Sequence, residues 1–278
     1  MNRPPVNAVD QAMYQEIAAL FADIDRVGAD VRAVVLSGEG PHFCAGNDLD
    51  EFATMTPENG RERMWRVREA FFAIADCSVP VVGAIHGAAL GTGVAIAASC
   101  DFVVAAEDAR FGLPELTVGV MGGARHLARM APQPLVRRMF FTGEPLSAKE
   151  FADAGGAIFV CGSDQFLAEA KRLAARMASL SPTAVRVGKR ILDRVEWMDL
   201  RKGYEFEQTA SVRMSGHPDS KEALLRSGSA GKADISRWLA RAAGTSSVER
   251  SPVPLQYHTL LDAPKTSVKC KERSNAMQ

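Results

Sequence analysis

The alternation of short β-branched runs with longer helical segments constrains the fold more than any other feature. Three runs of strand length are rich in valine: residues 31–37, 79–86 and 101–105. The segments that alternate with them read as helices: residues 9–27, 61–76 and 92–99. Parallel neighbouring strands need a long crossover between them, and helices of this kind supply it. The order helix–strand–helix–strand–helix–strand therefore predicts an α/β fold with parallel strands.

The second half of the chain has a different pattern. From about residue 130 it is mostly helical, with predicted helices at residues 133–141, 147–154, 164–180, 182–194 and 199–214. Residues 241–278 mix glycine, serine, threonine, proline and lysine without a sustained period. Two interpretations of that segment stay open. It is a solvated tail, or it docks on another subunit through its apolar residues, Leu255, Tyr257, Leu260 and Leu261.

Charge and cysteine content exclude several classes of protein. Lys+Arg and Asp+Glu number 33 each, so the formal charge is zero, which argues against a nucleic-acid binder or a polybasic membrane anchor. No stretch approaches the roughly 20 apolar residues of a membrane span, and the first residues lack the apolar segment of a secretory signal. The five cysteines are widely spaced, which indicates neither a disulfide framework nor a metal site. We expect a cytoplasmic protein without a metal ion.

The first segment that could bind a ligand is FCAGNDL, residues 43–49, directly after a predicted buried strand. Its small residues let a ligand approach the backbone, and Gly46 can adopt a positive φ that most residues resist. An exposed backbone N–H here could donate to a ligand oxygen. The alternative is an ordinary strand-to-helix loop in which Asp48 caps the helix.

A second segment, HGAALGTGVA at residues 86–95, leads from a buried strand through glycines into a helix of small residues. Helix N-termini present unpaired N–H groups and the positive end of the helix dipole. The spacing matches neither a phosphate-binding P-loop nor a dinucleotide-binding loop. Close packing of the helix on the strand explains this segment equally well.

The third segment contains Glu115, within FGLPEL at residues 111–116. Because it lies among apolar residues and glycines, we expect partial desolvation to raise the pKa of its carboxyl toward neutrality. Such a group suits a general acid or base. A surface or helix-capping glutamate is the alternative.

Together, the order and spacing of these three segments resemble the crotonase, or enoyl-CoA hydratase/isomerase, superfamily. The resemblance covers about residues 2–235 and includes FTGEPLSAKEFADAGG at residues 141–156. It implies an α/β fold with a crotonase-type ββα spiral core over residues 1–181, which holds an acyl-CoA site. A C-terminal helical oligomerisation region over 182–240 and a tail over 241–278 would follow.

The resemblance also implies a role for individual residues. Family members bind acyl-CoA thioesters and stabilise an enolate with two backbone N–H groups, which by matched position belong to Asn47 and Thr92. Glu115 would be the catalytic acid and base. Contacts to the substrate and its CoA part would come from Cys44, Ala45, Gly46, Asp48, Leu49 and Gly91, with the backbone near Cys44 and Ala45 facing the adenine end.

Two positions depart from the pattern of the family's hydratases. Hydratases carry a second glutamate where this chain has Ala95. Thr92 replaces a usual glycine, and its β-branched side chain leaves less room for a ligand to approach the backbone there. Members with a single glutamate include Δ3,Δ2-enoyl-CoA isomerases and some hydratase-lyases. His126 could reach the pocket, although a helix-start or surface position explains it as well.

These observations predict an acyl-CoA enzyme that moves a proton on an enoyl-CoA with a single glutamate. Double-bond isomerisation is placed ahead of hydratase or lyase chemistry on a 2-enoyl-CoA. The alternative from another class is an acyl-CoA-binding family member with little or no catalysis. CoA is part of the substrate, and no separate cofactor, nucleic acid or membrane is expected. The family resemblance implies a homotrimer or a dimer of trimers.

Overall fold

The computed structural model of the chain describes residues 1–28 and 30–225. Its strands are β1 Val34–Ser37, β2 Val81–Ile85, β3 Ala88–Leu90, β4 Phe102–Ala106, β5 Arg110–Gly112, β6 Leu146–Ser147 and β7 Phe159–Cys161. Its helices are α1 Gln11–Ala22, α2 Leu49–Phe52, α3 Pro57–Ala75, α4 Thr92–Ser99, α5 Ala124–Leu127, α6 Gln133–Thr142, α7 Ala148–Asp153, α8 Phe166–Ala178, α9 Pro182–Val195 and α10 Leu200–Ser215.

The strands form two sheets. The larger has the order β1-β2-β4-β7 and is parallel throughout, with Val34 opposite Val81 and Val82 opposite Phe102. The smaller has the order β3-β5-β6, in which β3 and β5 are parallel and β5 and β6 antiparallel. Parallel strands are confirmed for the three valine-rich runs that the sequence identifies.

The chain crosses from the larger sheet to the smaller one through a short connection between two strands, and it does so twice. Strand β2 passes into β3 of the other sheet after only two residues, and helix α4 follows. Strand β4 likewise passes into β5 after a three-residue turn. This is the ββα spiral that the family resemblance implies, and the mixed α/β fold is confirmed. The sequence alone shows no repeat, because the second strand of each unit has only three residues.

The core lies on both faces of the parallel sheet. Val81, Ile85 and Val103 pack into the main apolar cluster, whereas Val82 and Val104 face a smaller cluster beneath α8. A parallel sheet is normally covered on both faces, which explains why its strands read as continuous apolar runs. Helix α4 is surrounded by this core, and every one of its residues is buried. Its small side chains allow that close packing.

Several predicted boundaries are wrong by a few residues. Helix α1 ends at Ala22, not 27, and a 3-10 turn at Ile24–Arg26 follows it. Helix α3 starts earlier than predicted, where Thr56 and Asn59 form a capping box ahead of the apolar run. None of the described helices is long and apolar enough to cross a membrane.

The C-terminal helical region is present as α9, α10 and a further helical stretch over 218–225. The division between a core and this region at residue 181 stays a prediction. The tail over 241–278, with Leu255, Tyr257, Leu260 and Leu261, lies outside the described residues.

Candidate active site

The loop after β1 is held against strand β3 by the backbone of Cys44. Its N–H donates to the carbonyl of Ala88 at 2.9 Å, and its carbonyl accepts from the N–H of Leu90 at 3.0 Å. Gly93, in the first turn of α4, lies so close that a Cβ there would stand 2.2 Å from the Cys44 carbonyl oxygen. Only glycine permits this approach. The loop therefore ends beside the N-terminus of α4.

Cys44 is placed differently from the residues that follow it, and its contact to the substrate stays a prediction. Both of its backbone groups are used in the pairing with β3, and the residue is fully buried. Burial raises the pKa of its thiol to about 11. Cys44 is thus part of the framework behind the site.

The other predicted site residues line one cavity of about 470 Å³: Ala45, Gly46, Asn47, Asp48, Leu49, Gly91, Thr92 and Glu115. They come from three separate segments of the chain. The loop after β1, the start of α4 and the 3-10 turn Glu115–Val118 each supply part of the wall. The grouping that the resemblance implies is thus present in the geometry.

Two residues of this wall have a backbone N–H group that makes no backbone hydrogen bond within the described residues. Thr92 is the first residue of α4, so its N–H has no acceptor within the helix. On the other segment, Gly46 accepts from the N–H of Val9 and Asp48 donates to the carbonyl of Val9. The N–H of Asn47, between them, makes no backbone hydrogen bond in the described part of the chain.

Glu115 is a buried carboxylate in the same cavity. The residue is 8% exposed, and its Oε2 atom has no hydrogen-bond partner among the described residues. Its Oε1 atom lies against Gly123, where a Cβ would stand 2.7 Å away. Burial raises the pKa of the carboxyl above its usual value, and a hydrogen bond from its own backbone N–H opposes this in part. Burial therefore makes this carboxyl easier to protonate than a glutamate in water.

Asp48 has a different character, although it lines the same cavity. Its side chain caps α2 by accepting from the N–H of Glu51 at 2.9 Å. It also forms an ion pair with Arg3. The Glu51 N–H and then Arg3 lower the pKa of this carboxyl. Asp48 therefore stays ionised, and its side chain serves as a helix cap.

Ala95, at the position of the hydratases' second glutamate, is 1% exposed and lines neither this cavity nor the next. His126 lies in helix α5 and lines a second cavity of about 840 Å³. There its ring meets Phe71 edge-on, with centroids 4.9 Å apart. Burial, Arg129 and Arg125 lower the pKa of His126, so the ring is neutral near pH 7.

Sequence reasoning missed this second cavity. Its apolar wall comes mainly from Met64, Val67, Phe71, Phe72, Phe140 and Trp197. Gly123 lines it and also contacts the Glu115 carboxylate, so that carboxylate lies beside both cavities. The apolar residues of α3 recur at three- and four-residue intervals, and this spacing is the signal that could have revealed the wall.

Tyr14 is a second omission. Helix α1 carries it into the core, where it is 1% exposed. Its hydroxyl lies 2.6 Å from Oδ1 of Asn47 and 2.9 Å from Oγ1 of Thr92. Tyr14 therefore touches the side chains of two residues, Asn47 and Thr92, that line the first cavity. No cluster of three or more His, Cys, Asp or Glu residues that could hold a metal ion occurs within residues 1–28 and 30–225.

Known proteins with similar sequences act on CoA thioesters. The sequence profile of enoyl-CoA hydratase/isomerase matches residues 1–248. The (7aS)-7a-methyl-1,5-dioxo-2,3,5,6,7,7a-hexahydro-1H-indene-carboxyl-CoA hydrolase of Rhodococcus jostii is 32% identical over 78% of this chain and 84% of that protein. The 2,3-dehydroadipyl-CoA hydratase of Escherichia coli is 32% identical over 81% of this chain and 88% of that protein.

Solved structures give the same result. The crystal structure of enoyl-CoA hydratase from Bacillus anthracis superposes with a TM-score of 0.74 at 31% sequence identity. The superposition covers 82% of this chain and 88% of that one.

The raised pKa of Glu115 predicts a stability effect that depends on pH. Ionising the buried carboxyl in the folded protein costs free energy. The contribution of Glu115 to the free energy of unfolding is therefore complete below its unfolded-state pKa and is lost as pH rises through its folded-state pKa. Glu115→Gln keeps the shape without the charge. We expect this variant to have a higher Tm than wild type at pH 7, with an advantage that shrinks as the pH falls toward the unfolded-state pKa of about 4.3. Thermal unfolding from pH 4 to pH 8 measures the difference.

The matched control is Glu144→Gln, at an exposed glutamate. It should show no pH-dependent gap in Tm. A Tm difference for Glu115→Gln that is the same at every pH would contradict a desolvated carboxylate.

Proposed function

Because the chain belongs to the enoyl-CoA hydratase/isomerase family, we propose that it moves the double bond of an enoyl-CoA with Glu115 as the single proton carrier. The observation that carries the proposal is the buried carboxylate of Glu115, whose Oε2 atom has no hydrogen-bond partner among the described residues, in the cavity that Asn47 and Thr92 also line. In this arrangement Glu115 moves a proton, and the N–H groups of Asn47 and Thr92 stabilise the negative charge that forms on the thioester oxygen.

In the proposed reaction, Glu115 takes a proton from C2 of a 3-enoyl-CoA. The electron pair of the broken C–H bond moves onto the thioester oxygen, which gives a dienolate. Glu115 then returns the proton to C4, the double bond shifts to C2–C3 and the thioester carbonyl re-forms. The raised pKa of Glu115 brings it closer to the acidity of its carbon substrate, and proton transfer gains from that match.

The N–H groups of Asn47 and Thr92 would form the oxyanion hole. Each donates toward the thioester oxygen, and each donor of this kind typically contributes about 2.7–4 kcal/mol to transition-state stabilisation. The dipole of α4 adds a positive partial charge at Thr92. Because backbone atoms supply the hydrogen bonds, the change from glycine to Thr92 leaves the donor in place.

The CoA part of the substrate would lie along the remaining wall of the first cavity. Ala45, Gly46 and Gly91 have small or absent side chains, so their backbone is accessible to the ligand. Asp48 and Leu49 begin helix α2 and form the adjoining edge. The proposed reaction uses no cofactor besides the CoA of its own substrate.

Hydration of a 2-enoyl-CoA is the second candidate, and the relatives named hydratases favour it. Water addition needs one group to deprotonate water and a proton source for the α-carbon. Ala95 supplies no acid, and Asp48 is held ionised as a helix cap. Glu115 would have to do both tasks alone, so isomerisation fits the site better.

The direct test offers purified enzyme 2-enoyl- and 3-enoyl-CoA panels and identifies the products by mass spectrometry. We expect 3-enoyl-CoA to convert to 2-enoyl-CoA, without the added mass of water. Glu115→Gln should lower turnover at least about 100-fold, since general acid–base catalysis contributes about 10²–10⁴-fold. Binding of the CoA thioester should stay within a few-fold of wild type.

Glu144→Gln, the exposed-glutamate control, should turn over like wild type. A Glu115→Gln variant with more than a third of wild-type turnover would refute the assignment of the proton carrier. Water addition as the main reaction would replace isomerisation with the hydratase candidate. Binding without turnover of any thioester would identify an acyl-CoA-binding protein.

We also propose assembly as a homotrimer or a dimer of trimers. The α9–α10 region exposes large apolar side chains: Leu192, Trp197, Leu200, Tyr204 and Val212. Leu200 is 89% exposed and Val212 is 73% exposed. Interfaces between identical subunits are more apolar than the rest of a protein surface, so these helices are the expected contact surface.

Sedimentation velocity at micromolar concentration should give a trimer or a hexamer. Leu200→Glu should shift the distribution toward monomer, because it places a charge in the apolar contact. Val27→Glu is the control, since Val27 is 63% exposed but lies outside these helices. A wild-type monomer at this concentration would contradict the proposal.

A further inference from the structure

Tyr14 lies directly behind the proposed oxyanion hole. Its ring packs edge-on against Phe71, with centroids 6.0 Å apart. The hydroxyl contacts Oδ1 of Asn47 at 2.6 Å and Oγ1 of Thr92 at 2.9 Å. A phenylalanine would fill this space and make the same ring contact. The hydroxyl therefore needs an explanation beyond packing.

The direction of the two hydrogen bonds follows from counting protons. A carbonyl oxygen such as Oδ1 of Asn47 can only accept, so Tyr14 gives its one hydroxyl proton to Asn47. The Thr92 hydroxyl must then donate its proton to the Tyr14 oxygen. Burial raises the pKa of Tyr14, so the phenol keeps its proton throughout the working range. The chain of donors runs from Thr92 to Tyr14 to Asn47.

The partners of Tyr14 come from two segments that the oxyanion hole needs to hold together. Asn47 lies in the loop after β1, and Thr92 begins α4. The Cys44 pairing brings these segments near each other, but its hydrogen bonds end before either donor residue. One phenol oxygen links the two side chains on the side away from the cavity.

We propose that Tyr14 is a positioning residue that sets the spacing and direction of the two N–H donors, Asn47 and Thr92. The proposal rests on the proposed oxyanion hole. It also explains the Thr92 hydroxyl, which is buried and has Tyr14 as its partner. Small displacements of the groups that stabilise the transition state slow the reaction. Loss of the Tyr14 hydroxyl should therefore lower kcat more than it changes KM.

The test compares Tyr14→Phe, Thr92→Val and the double variant. Each single change removes one hydroxyl and nearly preserves volume. We expect kcat to fall about tenfold in each single variant, with KM within about twofold. The double variant should lose no more than either single one, because both changes break the same hydrogen-bonded unit. Tyr204→Phe is the control, since it removes a hydroxyl on α10, away from the cavity, and keeps the ring that the proposed subunit contact uses.

A second measurement does not depend on turnover. The infrared C=O band of bound butanoyl-CoA, labelled with ¹³C at the carbonyl, reports the hydrogen bonds that the thioester oxygen accepts. The frequency should be lower for butanoyl-CoA bound to wild type or to Tyr204→Phe than for butanoyl-CoA free in water. In folded Tyr14→Phe, verified by its thermal transition, part of that lowering should be lost.

The outcomes separate the two proposals. An unchanged band in Tyr14→Phe, beside a lowered band in wild type, would overturn the role of Tyr14 and leave the oxyanion hole standing. Losses in kcat that multiply when Tyr14→Phe and Thr92→Val are combined would likewise overturn the role of Tyr14 alone. A wild-type band that is not lowered at all would overturn the oxyanion hole and, with it, the role of Tyr14.

Discussion

The isolated backbone pairing of Cys44 with Ala89 is the contact on which the candidate site depends. It fixes the loop after β1 to the strand that leads into α4, so two distant segments end at one cavity wall. Gly93 is required there because its backbone meets the Cys44 carbonyl. The two proposed donors are backbone N–H groups, so the arrangement tolerates side-chain changes at Thr92 as long as this pairing is kept.

A second consequence of the fold is the burial of Glu115. The apolar surroundings that raise the pKa of its carboxyl also strengthen hydrogen bonds to charge that develops nearby, since the local dielectric is low. The same burial costs folding free energy once the carboxylate ionises. The folding free energy lost at Glu115 and its proposed role as a proton carrier therefore have the same cause, the burial of its carboxyl.

Fold and site were predictable from the sequence to different degrees. The valine-rich runs reveal β1, β2 and β4, because a strand buried on both faces is apolar throughout. Strands β3 and β5 have three residues each and show no period, so only the family resemblance implied the second sheet. Sequence also does not show that the backbone of Cys44 pairs with β3, and the substrate contact that the resemblance implies for Cys44 stays a prediction. Tyr14 looks like an ordinary core residue of an amphipathic helix, and its partners lie 33 and 78 residues away.

Transfer of label within one substrate molecule tests the central claim, a single carboxylate that carries one proton between two carbons. The substrate is a 3-enoyl-CoA with deuterium at C2, converted in ordinary water and sampled at early conversion. A shielded Glu115 should deliver part of the deuterium to C4 of the 2-enoyl-CoA product, which mass spectrometry and NMR can locate. Product in which C4 carries no deuterium would contradict a single shielded carrier.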